Sequence, residues 1–213
     1  MKKNVIVFVL LIASLAVFAE NKAYKNEMKK NIEQTAKAQS LDELLEMSNN
    51  FERIAMAEND QWLPWYYAAY ASINACYMGL PKSKMDQRLD KAQEMIDKAG
   101  ELSPENDEIE VLQGFLYQTR IQVDPQSRGQ QYSMQSNANF AKAIKMNPDN
   151  PRADFLMAQN LLYTPAAFGG GPENACPKYR SAAEKFATFK PASELAPNWG
   201  ESMNREMMKK NCN

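Results

Sequence analysis

The residue types that could do chemistry in this chain are few, and the first fact about them is an absence. Its 213 residues include no histidine. That removes Ser-His-Asp and Cys-His nucleophilic catalysis and every histidine-ligated metal site. Carboxylate, lysine, tyrosine and cysteine chemistry remain, and none of them appears as a spaced motif. Asp107, Glu108 and Glu110 form the densest acidic cluster, but they open a predicted helix, where negative charge meets the positive end of the helix dipole. They therefore read as a solvated helix start rather than an acid–base pair. The stretch TPAAFGGGPENACPKY, Thr164 to Tyr179, places a glycine triplet between two helical segments. A phosphate loop would follow a strand and carry a lysine with Ser or Thr after its last glycine. Gly169 to Gly171 instead follow a helix and lead to Pro172, Glu173 and Asn174. The expectation is a bend: Gly169 or Gly170 supplies positive φ, Pro172 starts the next helix, and Phe168 folds back onto the core. Anion binding by the free glycine amides at the helix start is the alternative. No enzymatic activity, cofactor or metal site is expected.

The three cysteines, Cys76, Cys176 and Cys212, take their meaning from the compartment. MKKNVIVFVLLIASLAVFAENK begins with Lys2 and Lys3, continues as an apolar run from Val5 to Leu15 and reaches small residues near Ala19. This is the plan of a Sec-type signal peptide, residues 1–19, with an apolar run shorter than the about 20 residues of a spanning helix. Cleavage after Ala19 would leave no cysteine at the cut to accept lipid. A periplasmic or secreted chain with no stable membrane anchor is expected. Three cysteines in an oxidising compartment allow at most one internal bridge. If a helix over 172–190 and a last helix over 198–212 run antiparallel, Cys176 and Cys212 face each other. Cys76 then reads as a buried small hydrophobe; the alternative is that all three stay reduced. The formal net charge of −1, made more acidic by loss of Lys2 and Lys3, gives no footprint for nucleic acid.

These groups are positioned by a repeat. Counting back from Pro104 meets Ala99, Ile96 and Ala92; counting back from Pro148 meets Ala143, Phe140 and Ser136 at the same offsets. Small and large residues thus alternate on one helical face, letting a neighbouring helix approach at the small positions. Gly114 and Ala158 lie equally far beyond the two prolines, with Tyr117 and Leu161 three residues further on. The pattern resembles the tetratricopeptide repeat, a helix-turn-helix unit of about 34 residues. WLPWYYAAY, NPRADFLMAQNLLYTPAAFGGG and LAPNWG together resemble small secreted tetratricopeptide-repeat proteins of Bacteroidetes-type bacteria.

The resemblance implies an all-α, right-handed α-solenoid in a single domain, 20–213. A leading helix pair would span 22–57, with Ser40 and Glu43 as a capping box. Repeats would span about 62–101, 107–146 and 151–190, and a capping helix 198–212 would cover the exposed end. Pro104 and Pro148 are farther apart than one repeat, which assigns a longer turn to IQVDPQSRGQQ, broken by Pro125 and Gly129. The aromatic residues Trp62, Trp65, Tyr66, Tyr67 and Tyr70 cannot share one face of one helix, so some are core and the others are either exposed or covered by the leading helices. In the repeat register the concave face carries Tyr66, Tyr70, Phe115, Gln118, Arg152, Gln159 and Tyr163. That surface suits a protein or peptide partner, which makes the chain an exported non-catalytic scaffold or adaptor. The alternative is a small-molecule carrier or transporter accessory with a pocket near the aromatic helix; an enclosed cavity favours the carrier and an open groove the peptide.

Overall fold

A computed structural model describes residues 22–212; the expected signal peptide, residues 1–19, lies outside them. Among the described residues there are helices and no strands: α1 (22–37), α2 (Leu41–Ala57), α3 (Trp62–Ala75), α4 (Lys82–Leu102), α5 (Asp107–Arg120), α6 (Pro125–Met146), α7 (Pro151–Tyr163), a short 3₁₀ turn (Ala166–Phe168), α8 (Pro172–Thr188) and α9 (Glu201–Asn211). The starts are written into the sequence. Ser40 and Glu43 form the expected capping box at α2. The side chains of Asn106, Asp124 and Asn150 accept from the amides of Glu108, Ser127 and Arg152 at α5, α6 and α7, satisfying donors that a helix start leaves unpaired. Pro125, Pro151 and Pro172 each occupy the first turn, where a missing N–H costs nothing.

Consecutive helices pack on one another from α2 to α9, and α5 also touches both α3 and α7. α3, α5 and α7 therefore lie side by side, with α4, α6 and α8 as the helices that alternate with them along the chain. The small positions of the repeat pattern are where neighbouring helices meet: Ala92, Ala99, Ser136, Ala143 and Ala158 are fully buried. The closest approach is at Gly114, where a β-carbon would lie 2.3 Å from Cε1 of Phe140. Ser136 Oγ donates to the Gly114 carbonyl across the same contact, at 2.7 Å. α3 is apolar around its whole circumference, which marks a helix covered on all sides. Phe51 of α2 stacks on Tyr67 at 5.3 Å, and the Tyr67 hydroxyl donates to the Leu195 carbonyl at 2.9 Å. The leading helices and the segment after α8 share the task of covering it.

Two expectations need correction. IQVDPQSRGQQ is not a broken turn: α6 starts at Pro125, capped by Asp124, and runs through Gly129. Proline is accommodated at a first helical position, and the Asp124 cap fixes the start there. The helix expected over 172–190 ends at Thr188, and residues 189–200 form an irregular connection. The expected pairing of Cys176 with Cys212 is present as a disulfide with Cα atoms 5.5 Å apart, tying the end of α9 to α8. Cys76 is free and buried, and burial pushes its thiol up to about 11.

Candidate functional site

A cavity of about 1260 Å³ opens between α3, α5 and α7, walled further by the start of α6, the turn around Pro165 and the connection at Trp199. None of its lining residues is an aspartate, glutamate, lysine or arginine. One wall is aromatic. Tyr70 stacks on Trp199 with ring centres 4.9 Å apart and planes 28° apart. Phe115 lies 6.5 Å from Tyr70 and 6.2 Å from Trp199, and Tyr77 stacks on Phe115 at 5.9 Å and 7°. The Tyr77 hydroxyl shares a hydrogen bond of 3.1 Å with Thr119 Oγ1. Burial pushes the Tyr77 phenol up to about 12 and the Tyr70 phenol higher still, against the hydrogen bond from Asn74. Both are neutral rings at physiological pH. The rest of the lining mixes carboxamides, the hydroxyls of Ser133 and Thr164, methionines and aliphatic side chains with the further rings of Phe155, Tyr163 and Phe168; Gln118 is buried at 8% exposure.

The aromatic wall is held from behind by charge. Trp199 Nε1 donates to the hydroxyl of the fully buried Tyr66 at 3.0 Å. The Arg152 guanidinium, with no exposed surface, lies 5.8 Å from the Trp199 ring centre and 4.4 Å from that of Phe189. Arg152 Nε donates to Glu108 at 2.8 Å, and Nη2 donates to the other carboxylate oxygen. Asn150 Nδ2 donates to Glu108 at 2.9 Å and to Asp107 at 2.7 Å. Burial raises the Glu108 pKa, and the hydrogen bond and charge of Arg152 hold it back in part. Burial works to lower that of Arg152, and Glu108 outweighs it. The two groups thus answer each other's charge inside the protein.

Tyr70, Phe115, Gln118, Gln159 and Tyr163 line the cavity as the repeat register places them. Tyr66 and Arg152 do not: Tyr66 bonds to the back of Trp199, and Arg152 finds its carboxylate, Glu108, on α5. Glu108 is correspondingly not part of a solvated helix start; its side chain is 13% exposed. Phe168 does not fold onto the core. It is 75% exposed at the cavity mouth beside Tyr163, which is 73% exposed. The backbone fixes it there, with Gly169 and Gly171 at φ of 80° and 98°. The amides of Gly169, Gly170 and Gly171 donate to the carbonyls of Ala166, Pro165 and Leu161, so the turn has no free glycine amide to offer an anion. Sequence reasoning missed Asn74 and Tyr77, one and two turns beyond Tyr70 on the same face of α3 and its extension. It also missed Trp199, which lies on a connection without period.

Among the described residues no cluster of Cys, Asp or Glu could hold a metal ion, and no helix is long and apolar enough to cross a membrane. No family model matches the chain, and no curated protein matches it. Among solved structures, the HusA haemophore from Porphyromonas gingivalis, one of the Bacteroidetes, superposes with a TM-score of 0.81 at 33% sequence identity, over 89% of this chain and 92% of that one. Identity at that level over nearly the full length of both chains places them together: this chain belongs to the family of the HusA haemophore.

Proposed function

We propose that the protein is a carrier that holds a haem or related porphyrin in the cavity between α3, α5 and α7. The observation that carries this reading is the wall of Tyr70, Phe115 and Trp199, three rings in mutual contact facing an uncharged cavity. A flat, polarisable ligand gains stacking and apolar burial on such a surface together. Membership in a haemophore's family supports the same ligand class. With no histidine in the chain, iron has only side chains such as Tyr163, Tyr77, Met134 and Met203 to turn to in the lining, and tyrosine and methionine are both residue types that ligate haem iron. The volume and aromatic wall of this cavity favour the small-molecule reading over the peptide scaffold.

The helix pairs, with small residues buried where neighbouring helices meet, support a tetratricopeptide-like solenoid as their finer description. The disulfide suits an exported protein, because such bonds persist in oxidising compartments.

Titration of haemin into the protein, followed by its Soret absorption, tests the reading. Saturable binding at one equivalent is expected. Trp199→Ala should weaken it by roughly 5–30-fold, the worth of one lost stacking partner of about 1–2 kcal/mol. Absence of saturable binding, or a Trp199→Ala variant with unchanged affinity and intact helicity, overturns it.

A further inference from the structure

The cavity has a second wall whose chemistry the aromatic stack does not use. Gln118, Gln122, Gln126 and Gln130 recur every four residues from the last turn of α5 to the first turns of α6, and all line the cavity. They form a track. Gln118 is its buried end, and Gln122, Gln126 and Gln130 are exposed. The Gln118 Oε1 is buried without a hydrogen-bond partner, and its side chain bonds to no other described residue. A buried polar group left in that state costs free energy unless something arriving in the cavity satisfies it. Asn74 and Gln159 bring two further carboxamides to the same cavity from α3 and α7.

The cations that flank the track are committed elsewhere. Arg120 reaches Asp90 at 2.7 Å, and Arg128 makes a two-pronged bond to Asp86 at 2.6 and 2.8 Å. Both turn to α4, and neither lines the cavity. The hydrogen bonds of Arg128 hold the Asp86 carboxyl below its ordinary range, so the pair remains charged.

We infer that the track from Gln118 to Gln130 is the subsite for the carboxylate edge of the ligand, held by neutral carboxamides rather than by cations. The inference rests on the carrier reading. Porphyrins of the haem class carry two carboxylates on one edge and an apolar ring elsewhere, and the cavity offers the aromatic wall to the ring and the glutamine track to the edge. A carboxylate brought against an apolar wall must be hydrogen-bonded, and a carboxamide supplies N–H donors for it. Rotating the Gln118 amide by 180° exchanges its oxygen and nitrogen, so one side chain serves a carboxylate as donor and a protonated acid as acceptor. Holding an anion by dipoles makes its affinity nearly independent of salt, whereas an ion pair at an open cavity would be screened.

The test compares protoporphyrin IX with its dimethyl ester by fluorescence titration of the full chain, at about 50 and 500 mM NaCl. The acid should bind roughly tenfold tighter than the ester, with less than about a twofold change across the salt range. Gln118→Leu should bring the acid down to the affinity of the ester and leave the ester unchanged. Gln118→Glu, which keeps the shape and adds a negative charge, should weaken the acid further and spare the ester. Equal binding of the two probes by the wild type overturns the inference. So does equal weakening of both by Gln118→Leu, which would make Gln118 a shape-filling residue. A steep loss of acid binding with salt would show that a cation does the work. In all three cases the ring still binds and the carrier reading survives; binding of neither probe overturns that reading and the subsite with it.

Discussion

Arg152 has no exposed surface, so its charge has to be answered inside the protein. One carboxylate and two aromatic faces answer it, and the same arrangement fixes the back of the Trp199 ring. Replacing Arg152 by methionine would keep most of the volume and strand Glu108 as a buried unpaired group, at a cost of about 3–5 kcal/mol. The pH dependence of that cost identifies its origin. Burial already raises the Glu108 pKa, and the nearby Asp107 adds to it. With Arg152 gone, nothing of comparable size opposes them. A carboxyl whose folded pKa lies above its unfolded value of about 4.3 favours folding below that value, and the benefit is lost as pH rises through the folded pKa. The Arg152→Met deficit should therefore be larger at pH 8 than at pH 5 in urea unfolding. An equal deficit at both would mean that the variant loses packing alone.

At the scale of the element, the tightest constraint is the crossing of α5 and α6 at Gly114. Phe140 is fully buried there and has no room to turn away from an added methyl group. Gly114→Ala should cost about 1–3 kcal/mol from overpacking, partly offset by about 0.5–1 kcal/mol of helix propensity. Adding Phe140→Leu should recover part of the loss, and strictly additive losses in the double variant would sink this account. This crossing was legible before any coordinates, because Gly114, Ser136 and Phe140 stand at fixed offsets from the repeat prolines. The start of α2 was legible too, through Ser40 and Glu43, whereas the Asn106 and Asn150 caps were seen only in the structure. The register also carried Tyr70, Phe115, Gln118, Gln159 and Tyr163 to one face. Arg152 could not be placed correctly, since a sequence displays a charge but not the carboxylate 44 residues away that neutralises it. The start of α6 escaped because Pro125 reads as a breaker until Asp124 is recognised as its cap.

Across the whole molecule, the cavity takes three of its walls from segments where the sequence departs from its own repeat pattern. The early start of α6 supplies Pro125, Gln126, Gly129 and Gln130; the glycine turn supplies Thr164, Pro165 and Phe168; the connection before α9 supplies Trp199. These three walls turn the face presented by α3, α5 and α7 into a cavity. The last wall depends on how firmly α9 is seated. Among its residues only Asn204 is fully buried, donating to the Tyr179 carbonyl of α8 at 3.1 Å. Met207 and Met208 pack against the core only partly buried, and the Cys176–Cys212 bond, closing a separation of 36 residues, tethers the end of the helix. Loop-closure entropy puts the contribution of such a bond at about 3–4 kcal/mol. The double variant Cys176→Ser, Cys212→Ser should lose protection from hydrogen exchange first in α9, while α3 and α5 keep theirs. Because Trp199 and Met203 move with that helix start, haemin affinity should fall several-fold in the same variant, and reduction of the wild type should reproduce the fall, Cys76 being a buried thiol with a raised pKa. If α9 loosens while affinity holds, Trp199 is kept in place by Tyr66 and Arg152 alone. If neither changes, the end of the stack is secured by packing and not by the disulfide.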